Sequence, residues 1–98
     1  MKFLLLYNGP PTPPVASHNG WREWFIEIGD ALVDVGSPMQ AGVVVRGDGS
    51  RSNDSTSLNG YSVVQAEDRN RALDLVQDHP FLKLGSEYSI ELFEVPKS

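Results

Sequence analysis

The chain has no cysteine, which removes disulfides, thiolate nucleophiles and the sulfur-rich zinc sites together. That composition suits a reducing compartment, and a cytoplasmic setting is expected. Basic residues are scarce: 8 Lys and Arg stand against 13 Asp and Glu, and the resulting charge of −5 opposes phosphate backbones and anionic lipid surfaces. Neither nucleic acid nor a membrane is expected as a partner. Long hydrophobic runs are missing too, because the stretch Phe3 to Tyr7 is too short for a signal-peptide core or a membrane span and has only Lys2 before it. Of the two histidines, His18 and His79, neither stands at a recognised ligand spacing from the other or from a carboxylate, so no metal is expected. Gly47-Asp48-Gly49 lacks the third glycine and the basic residue of a phosphate-binding loop, and no cofactor is expected.

What is present is enough for one core. Apolar residues make up 40% and charged residues 21% of 98 residues, which predicts a single globular domain over residues 1–98. Lys2 to Asn8 is a short apolar run stopped by Gly9 and the prolines 10, 11, 13 and 14, the pattern of a buried strand entering a stiff connector. From Ser17, Trp21, Trp24, Phe25, Ile28, Leu32 and Val35 recur at three- and four-residue steps, which predicts an amphipathic helix capped by Ser17 or Asn19 and stopped at Gly36-Ser37-Pro38. Met39 to Arg46 alternates as an edge strand, and Asp48-Gly49 opens a long polar turn through Ser57. Gly60 to Ala66 is a third strand, Asp68 caps a second helix ending near Asp78-His79-Pro80, and Glu87 to Val95 is the last strand.

This order is β-α-β-β-α-β. The right-handed crossover rule folds it into a ferredoxin-like α+β unit, a four-stranded antiparallel sheet with both helices on one face and the first and third strands central. The central strands are apolar on both sides: Phe3, Leu5 and Tyr7 alternate with Leu4 and Leu6, and Val63 sits beside Val64. Two helices cover one face only. A second copy on the other, a homodimer through the sheet face, is the simplest cover.

The same residues resemble the YCII-related family, which includes proteins named for an Asp-Gly-Pro-Phe motif, over nearly the whole chain. Lys2-Phe3-Leu4-Leu5-Leu6-Tyr7, Gly29 to Pro38, Gly60 to Ala66, Asp74-Leu75-Val76 through His79-Pro80-Phe81-Leu82, and Ser89 to Glu94 carry the likeness by order and spacing. Asp48-Gly49 is present, but Ser50-Arg51 stands where the name-giving Pro-Phe would be. The resemblance implies a dimeric α+β barrel with a cleft between helices and sheet, and relatives of this architecture that act without a cofactor on small cyclic, often chlorinated or lactone-type compounds. Some of the broader family carries a His-Asp pair with its histidine near the start of the first helix. That role is not carried over to His18.

His79 is the candidate for acid-base chemistry. An imidazole is the side chain that titrates unperturbed near neutral pH, and at a helix end carbonyl dipoles favour its protonated form. Its structural alternative is a residue that bonds its own helix's last carbonyls. Glu91 is the second catalytic candidate, a carboxylate sharing a strand face with Phe93 and Val95; as an edge residue it equally serves to block sheet extension. Tyr7 and Tyr61, from the two central strands, can place hydroxyls at a pocket mouth, and Trp24 can roof it as substrate-binding residues, although core packing accounts for the same three. The expected function is therefore small-molecule binding with cofactor-free isomerase or lyase activity on small cyclic compounds; the alternative is a non-catalytic dimeric interaction or regulatory module.

Overall fold

A computed structural model describes residues 1–10, 20–40, 42–53 and 57–96. Strand β1 (Lys2–Asn8) leads to helix α1 (Trp21–Ile28), a three-ten turn Gly29–Ala31 and strand β2 (Leu32–Pro38). Two short strands follow, β3 (Val44–Val45) and β4 (Arg51–Ser52), then β5 (Leu58–Gln65), helix α2 (Arg69–Val76), a three-ten turn Pro80–Leu84 and β6 (Ser89–Val95). The main sheet has the order β2-β5-β1-β6, all neighbours antiparallel, and β3 and β4 form a separate two-stranded ribbon. The expected α+β class, the four-stranded antiparallel sheet and the central place of the first and third main strands are all present. No helix among the described residues is long and apolar enough to cross a membrane.

Alternation along β1 divides the molecule. Phe3, Leu5 and Tyr7 are buried together with Val64 of β5, under Trp24 of α1, Ala72 and Val76 of α2, and Phe81. Their neighbours Leu4 and Leu6 pair with Val63 and Tyr61 on one side and with Phe93 and Glu91 on the other, so these six residues share the opposite face. The helices are tied to each other as well as to the sheet, since the Trp24 indole N–H donates to the Leu75 carbonyl at 3.1 Å. Asp68 caps α2 as expected, its Oδ1 accepting from the Arg71 N–H at 2.9 Å.

Two expectations about the middle of the chain need correction. The first helix stops at Ile28 rather than continuing to Val35, because Gly29 adopts φ 54° and ψ −120° and its N–H turns back to the Phe25 and Ile26 carbonyls. Leu32 and Val35 continue the helical spacing only by coincidence; they belong to β2, where the β-branched Val33 and Val35 are favourable. The second main strand is therefore Leu32–Pro38 and not Met39 to Arg46, whose Val44–Val45 goes instead to the small ribbon. The start of the first helix, with Ser17 and Asn19, lies outside the described residues; the helix begins after Gly20.

Gly36 is a bulge residue in β2 and not a helix stop. Pairing with β5 slips on both sides of Asp34, the Gly36 N–H donates to Asp34 Oδ1 at 2.9 Å, and φ is 78°. A Cβ at this position would stand 1.7 Å from the Tyr61 carbonyl oxygen, a backbone atom that cannot step aside. Gly49 has a similar φ of 89° but open space around its Cβ position. Gly36→Ala is therefore expected to lower stability by about 2 kcal/mol or more, and Gly49→Ala by only about 1 kcal/mol, in urea denaturation. Equal losses at the two glycines would remove close strand approach as the cause.

Candidate functional site

The centre of the core is polar. At the end of α2 the His79 N–H donates to the Val76 carbonyl at 2.9 Å, and Pro80 then starts the three-ten turn with His79 as its N-cap. This geometry turns the imidazole inward, where it is fully buried. Its Nδ1 accepts from the Phe81 N–H at 3.0 Å, so the ring proton of the neutral form must sit on Nε2. Nε2 lies 3.1 Å from the Tyr7 hydroxyl, which accepts that proton. The Tyr7 O–H then donates to Ser62 Oγ at 2.7 Å, and the Ser62 hydroxyl donates to the Val35 carbonyl at 2.7 Å. Every donor in the chain has one acceptor, and the direction is set at both ends. A backbone N–H points into Nδ1, and a carbonyl can only accept.

Aromatic rings enclose this pair. The Trp24 ring centroid is 4.2 Å from that of His79, and Trp21 meets His79 edge-on at 4.6 Å and Tyr7 at 4.8 Å. Phe81 lies 5.1 Å from Tyr7, and Phe25 lies 6.2 Å from Trp21. Trp21 and Phe25 are half-buried, whereas Trp24, Tyr7 and Phe81 are buried, so Trp21 is the most exposed of the rings in contact with both His79 and Tyr7. Among the described residues no charged group compensates, and burial governs the electrostatics. It pushes the His79 pKa down to about 3 and the Tyr7 pKa up to about 12, the latter against a smaller opposing effect of the Ser62 bond. The expectation that helix-end carbonyls would favour a protonated His79 is thus reversed: the ring sits at the N-terminus of the next turn and accepts a backbone N–H there.

Of the expected site residues, the fold brings His79, Tyr7 and Trp24 into one cluster. It does not bring Glu91 or Tyr61 to them. Both take register positions opposite Leu6, on the face away from the helices, and Glu91 is exposed with its Oε1 accepting from Asn8 Nδ2 at 2.9 Å. Ser62 and Trp21 are members of the cluster that the sequence reading did not single out. For Ser62 the available signal was alternation: it shares a face of β5 with Gly60 and Val64, not with Tyr61 and Val63. Among the described residues no three His, Asp or Glu side chains gather where they could hold a metal ion. His18 lies outside the described residues.

The burial of His79 has a pH consequence. Its pKa falls from 6.5 in the unfolded chain to about 3 in the fold, so both states are neutral above pH 6.5 and its contribution is fully present there. Below that the unfolded chain takes up the proton first, and stability falls by about 1.4 kcal/mol per pH unit down to the folded pKa. In ¹⁵N NMR the His79 ring should remain the neutral Nε2–H tautomer at pH 5, and the acid slope of unfolding should be shallower by one proton in His79→Gln. A midpoint near 6.5 for this ring in the folded protein would overturn the assignment.

The sequence matches the model of the YCII-related domain over residues 1–95. No curated protein matches it. A solved structure with the same fold is that of 5-chloro-2-hydroxyhydroquinone dehydrochlorinase, TftG, from Burkholderia phenoliruptrix AC1100, in complex with 2,5-dihydroxybenzoquinone. The superposition covers 93% of this chain and 91% of that one, with a TM-score of 0.58 and 16% identity. Two helices over a four-stranded antiparallel sheet, together with a sequence match across residues 1–95, establish that the chain belongs to the YCII-related domain family.

Proposed function

We propose that the protein binds a small cyclic compound carrying ring oxygens at the Trp21, Trp24, Tyr7 and His79 cluster and acts on it there, without a cofactor, as an isomerase or lyase. The observation that carries this reading is the buried pair of neutral donors, His79 Nε2–H and Tyr7 O–H, walled by two indoles. Isomerisation moves a proton between ring positions, and elimination removes a proton and a leaving group from adjacent atoms; in this reading solvent water takes the proton, returning it at the new position in an isomerisation, and the leaving group departs as its anion. When the ring carries a carbonyl, both pathways build negative charge on its oxygen. A neutral imidazole N–H and a neutral phenol are the kind of donors that stabilise such an oxyanion in a dry site, and a ligand oxygen would take them by replacing Ser62 Oγ as the acceptor of the Tyr7 O–H or Tyr7 as the acceptor of the His79 Nε2–H. The role assigned to His79 is therefore electrophilic rather than basic, since Nδ1 is occupied by the Phe81 N–H and the pKa is about 3. Trp24 forms the inner wall, and Trp21 is the ring that an arriving ligand stacks on or displaces.

The quinone complex of the structural neighbour supports the ligand class only at the level of the fold. It supplies a probe. Titration with 2,5-dihydroxybenzoquinone is expected to quench tryptophan fluorescence saturably and to raise the melting temperature; at a hundredfold excess over Kd the stabilisation is about 2.7 kcal/mol. Tyr7→Phe, which keeps the ring and removes only the hydroxyl, should abolish the shift, and Glu91→Gln should not change it. A Tyr7→Phe protein that folds and binds as tightly as the wild type would remove the site from consideration.

A second reading concerns assembly, and the open sheet face supports it. Leu4, Leu6, Tyr61 and Val63 remain only partly buried in the single chain, and Phe93 is 48% exposed beside them. Such a contiguous apolar face is best covered by a second copy, and in this reading Tyr61 and Glu91 serve the contact between copies rather than the ligand. Sedimentation at micromolar concentration should give a dimer. Leu4→Asp should yield a folded monomer, whereas Leu5→Asp, at a fully buried position, should prevent folding. A wild-type chain that sediments as a monomer would end this reading.

A further inference from the structure

Among the described residues the polar side chains without solvent contact are His79 and Ser62. Strand alternation puts Ser62 on the helix face of β5 with Gly60 and Val64. Tyr7 stands opposite Gly60, which has no side chain, and its hydroxyl meets the diagonal neighbour Ser62 at 2.7 Å. On the other side of β5 the pairing runs from Asp34 with Val63 to Ser37 with Tyr61, so Val35 and Gly36 together stand opposite Ser62. This is the bulge, and the Val35 carbonyl there takes the Ser62 proton at 2.7 Å.

These bonds leave Ser62 one task toward Tyr7. A serine hydroxyl has a single proton, and that proton is committed to a carbonyl, so toward Tyr7 the oxygen can only accept. Nothing else in contact with the phenol takes its place: His79 Nε2 carries a proton of its own, and Trp21 and Phe81 present rings with no acceptor. In the free protein Ser62 therefore keeps a buried donor from standing unpaired. When an oxygen from outside takes the Tyr7 proton, Ser62 still donates to Val35 and loses only one accepted bond. An idle lone pair is more easily tolerated in a core than an orphaned donor, which makes Ser62 an acceptor that can be displaced.

We infer that Ser62 is the positioning residue of the site: it holds the Tyr7 hydroxyl in the free protein and competes with the ligand oxygen for its proton, and so sets the affinity. The inference rests on the ligand reading proposed above, commits it to the Tyr7 proton, and adds what the ligand must displace. Weakening Ser62 as an acceptor then moves stability and affinity in opposite directions. The free protein is left with an unsatisfied phenol, and the ligand satisfies it.

Two variants test this. Ser62→Cys keeps a side chain of similar shape with a weakly accepting sulfur, and Ser62→Ala has no acceptor. Each is checked for retained fold by far-UV circular dichroism, melted, and titrated with 2,5-dihydroxybenzoquinone by tryptophan fluorescence at one pH. The melting temperature is expected to fall from wild type to Cys to Ala. The Kd should fall in the same order, by about fivefold or more for Ala, the lower end of what an unpaired buried donor costs. A serine that only supports the core would give the opposite sign, since loosening the fold leaves binding equal or weaker. If Ser62→Ala does not fold, Ser62→Cys decides by the same sign. A Kd unchanged or raised in the folded variants, beside wild-type binding that needs the Tyr7 hydroxyl, would overturn the role of Ser62 and leave the site standing. A wild type that shows no quenching, or a Tyr7→Phe protein that binds as tightly, would overturn the site and the role of Ser62 together.

Discussion

Everything in the core is arranged around one run of hydrogen bonds, from the Phe81 N–H through His79, Tyr7 and Ser62 to the Val35 carbonyl. Three of its side chains are essentially without solvent contact, and a buried polar group left unpaired costs on the order of 1–3 kcal/mol. The run is tolerable only because it is complete, and among the described residues no buried side-chain nitrogen or oxygen lacks a partner. Completeness in turn fixes the surrounding backbone. It needs the three-ten turn after α2 to present its N–H, Tyr7 and Ser62 to face the helices from adjacent central strands, and β2 to bulge so that the Val35 carbonyl meets Ser62. The bulge depends on Gly36, whose backbone approaches Tyr61 closely. A requirement for one carbonyl acceptor thus reaches from the middle of the core to the edge of the sheet.

The parts of this fold that the sequence displayed are those governed by periodicity and order. Lys2 to Asn8 had to be central because it is apolar on both faces, and the order of elements left few topologies. Asp68 announced its helix because a carboxylate before a helical run satisfies an orphan N–H. Leu32 to Pro38 was misleading for a specific reason. Leu32 and Val35 keep the three-residue step of the preceding aromatics, and Gly36-Ser37-Pro38 has the composition of a helix stop, although a bulged strand uses the same residues. The helix ends at Gly29, a glycine inside an apparently continuous pattern, and only its positive φ distinguishes it.

The candidate site was half legible. His79, Tyr7 and Trp24 stood out as residue types, and the fold brings all three together. Their chemistry did not, because protonation depends on surroundings: the same histidine on an exposed helix end would be favoured as a cation, and enclosed by Trp21, Trp24 and Tyr7 it is held neutral. Glu91 and Tyr61 were drawn toward the site by type as well. Strand alternation separates them from it, since one residue of displacement along β1, from Tyr7 to Leu6, exchanges the helix face for the open face.

That separation assigns the two faces different kinds of work. On the helix face, neutral donors are kept dry and aligned, a condition under which a modest dipole acts strongly on a developing charge because no water screens or competes with it. A charged group there would carry a desolvation cost of several kcal/mol, and among the described residues no charge offsets the burial of His79. On the open face the carboxylate of Glu91 remains exposed and already shares its oxygen with Asn8. Its negative charge costs little in water. A chain of this size can keep a dry, polar interior and a sticky, charged exterior apart because the sheet between them is a single layer of strands whose side chains alternate. The chemistry proposed for one face and the pairing proposed for the other are therefore written into alternate residues of the same strands.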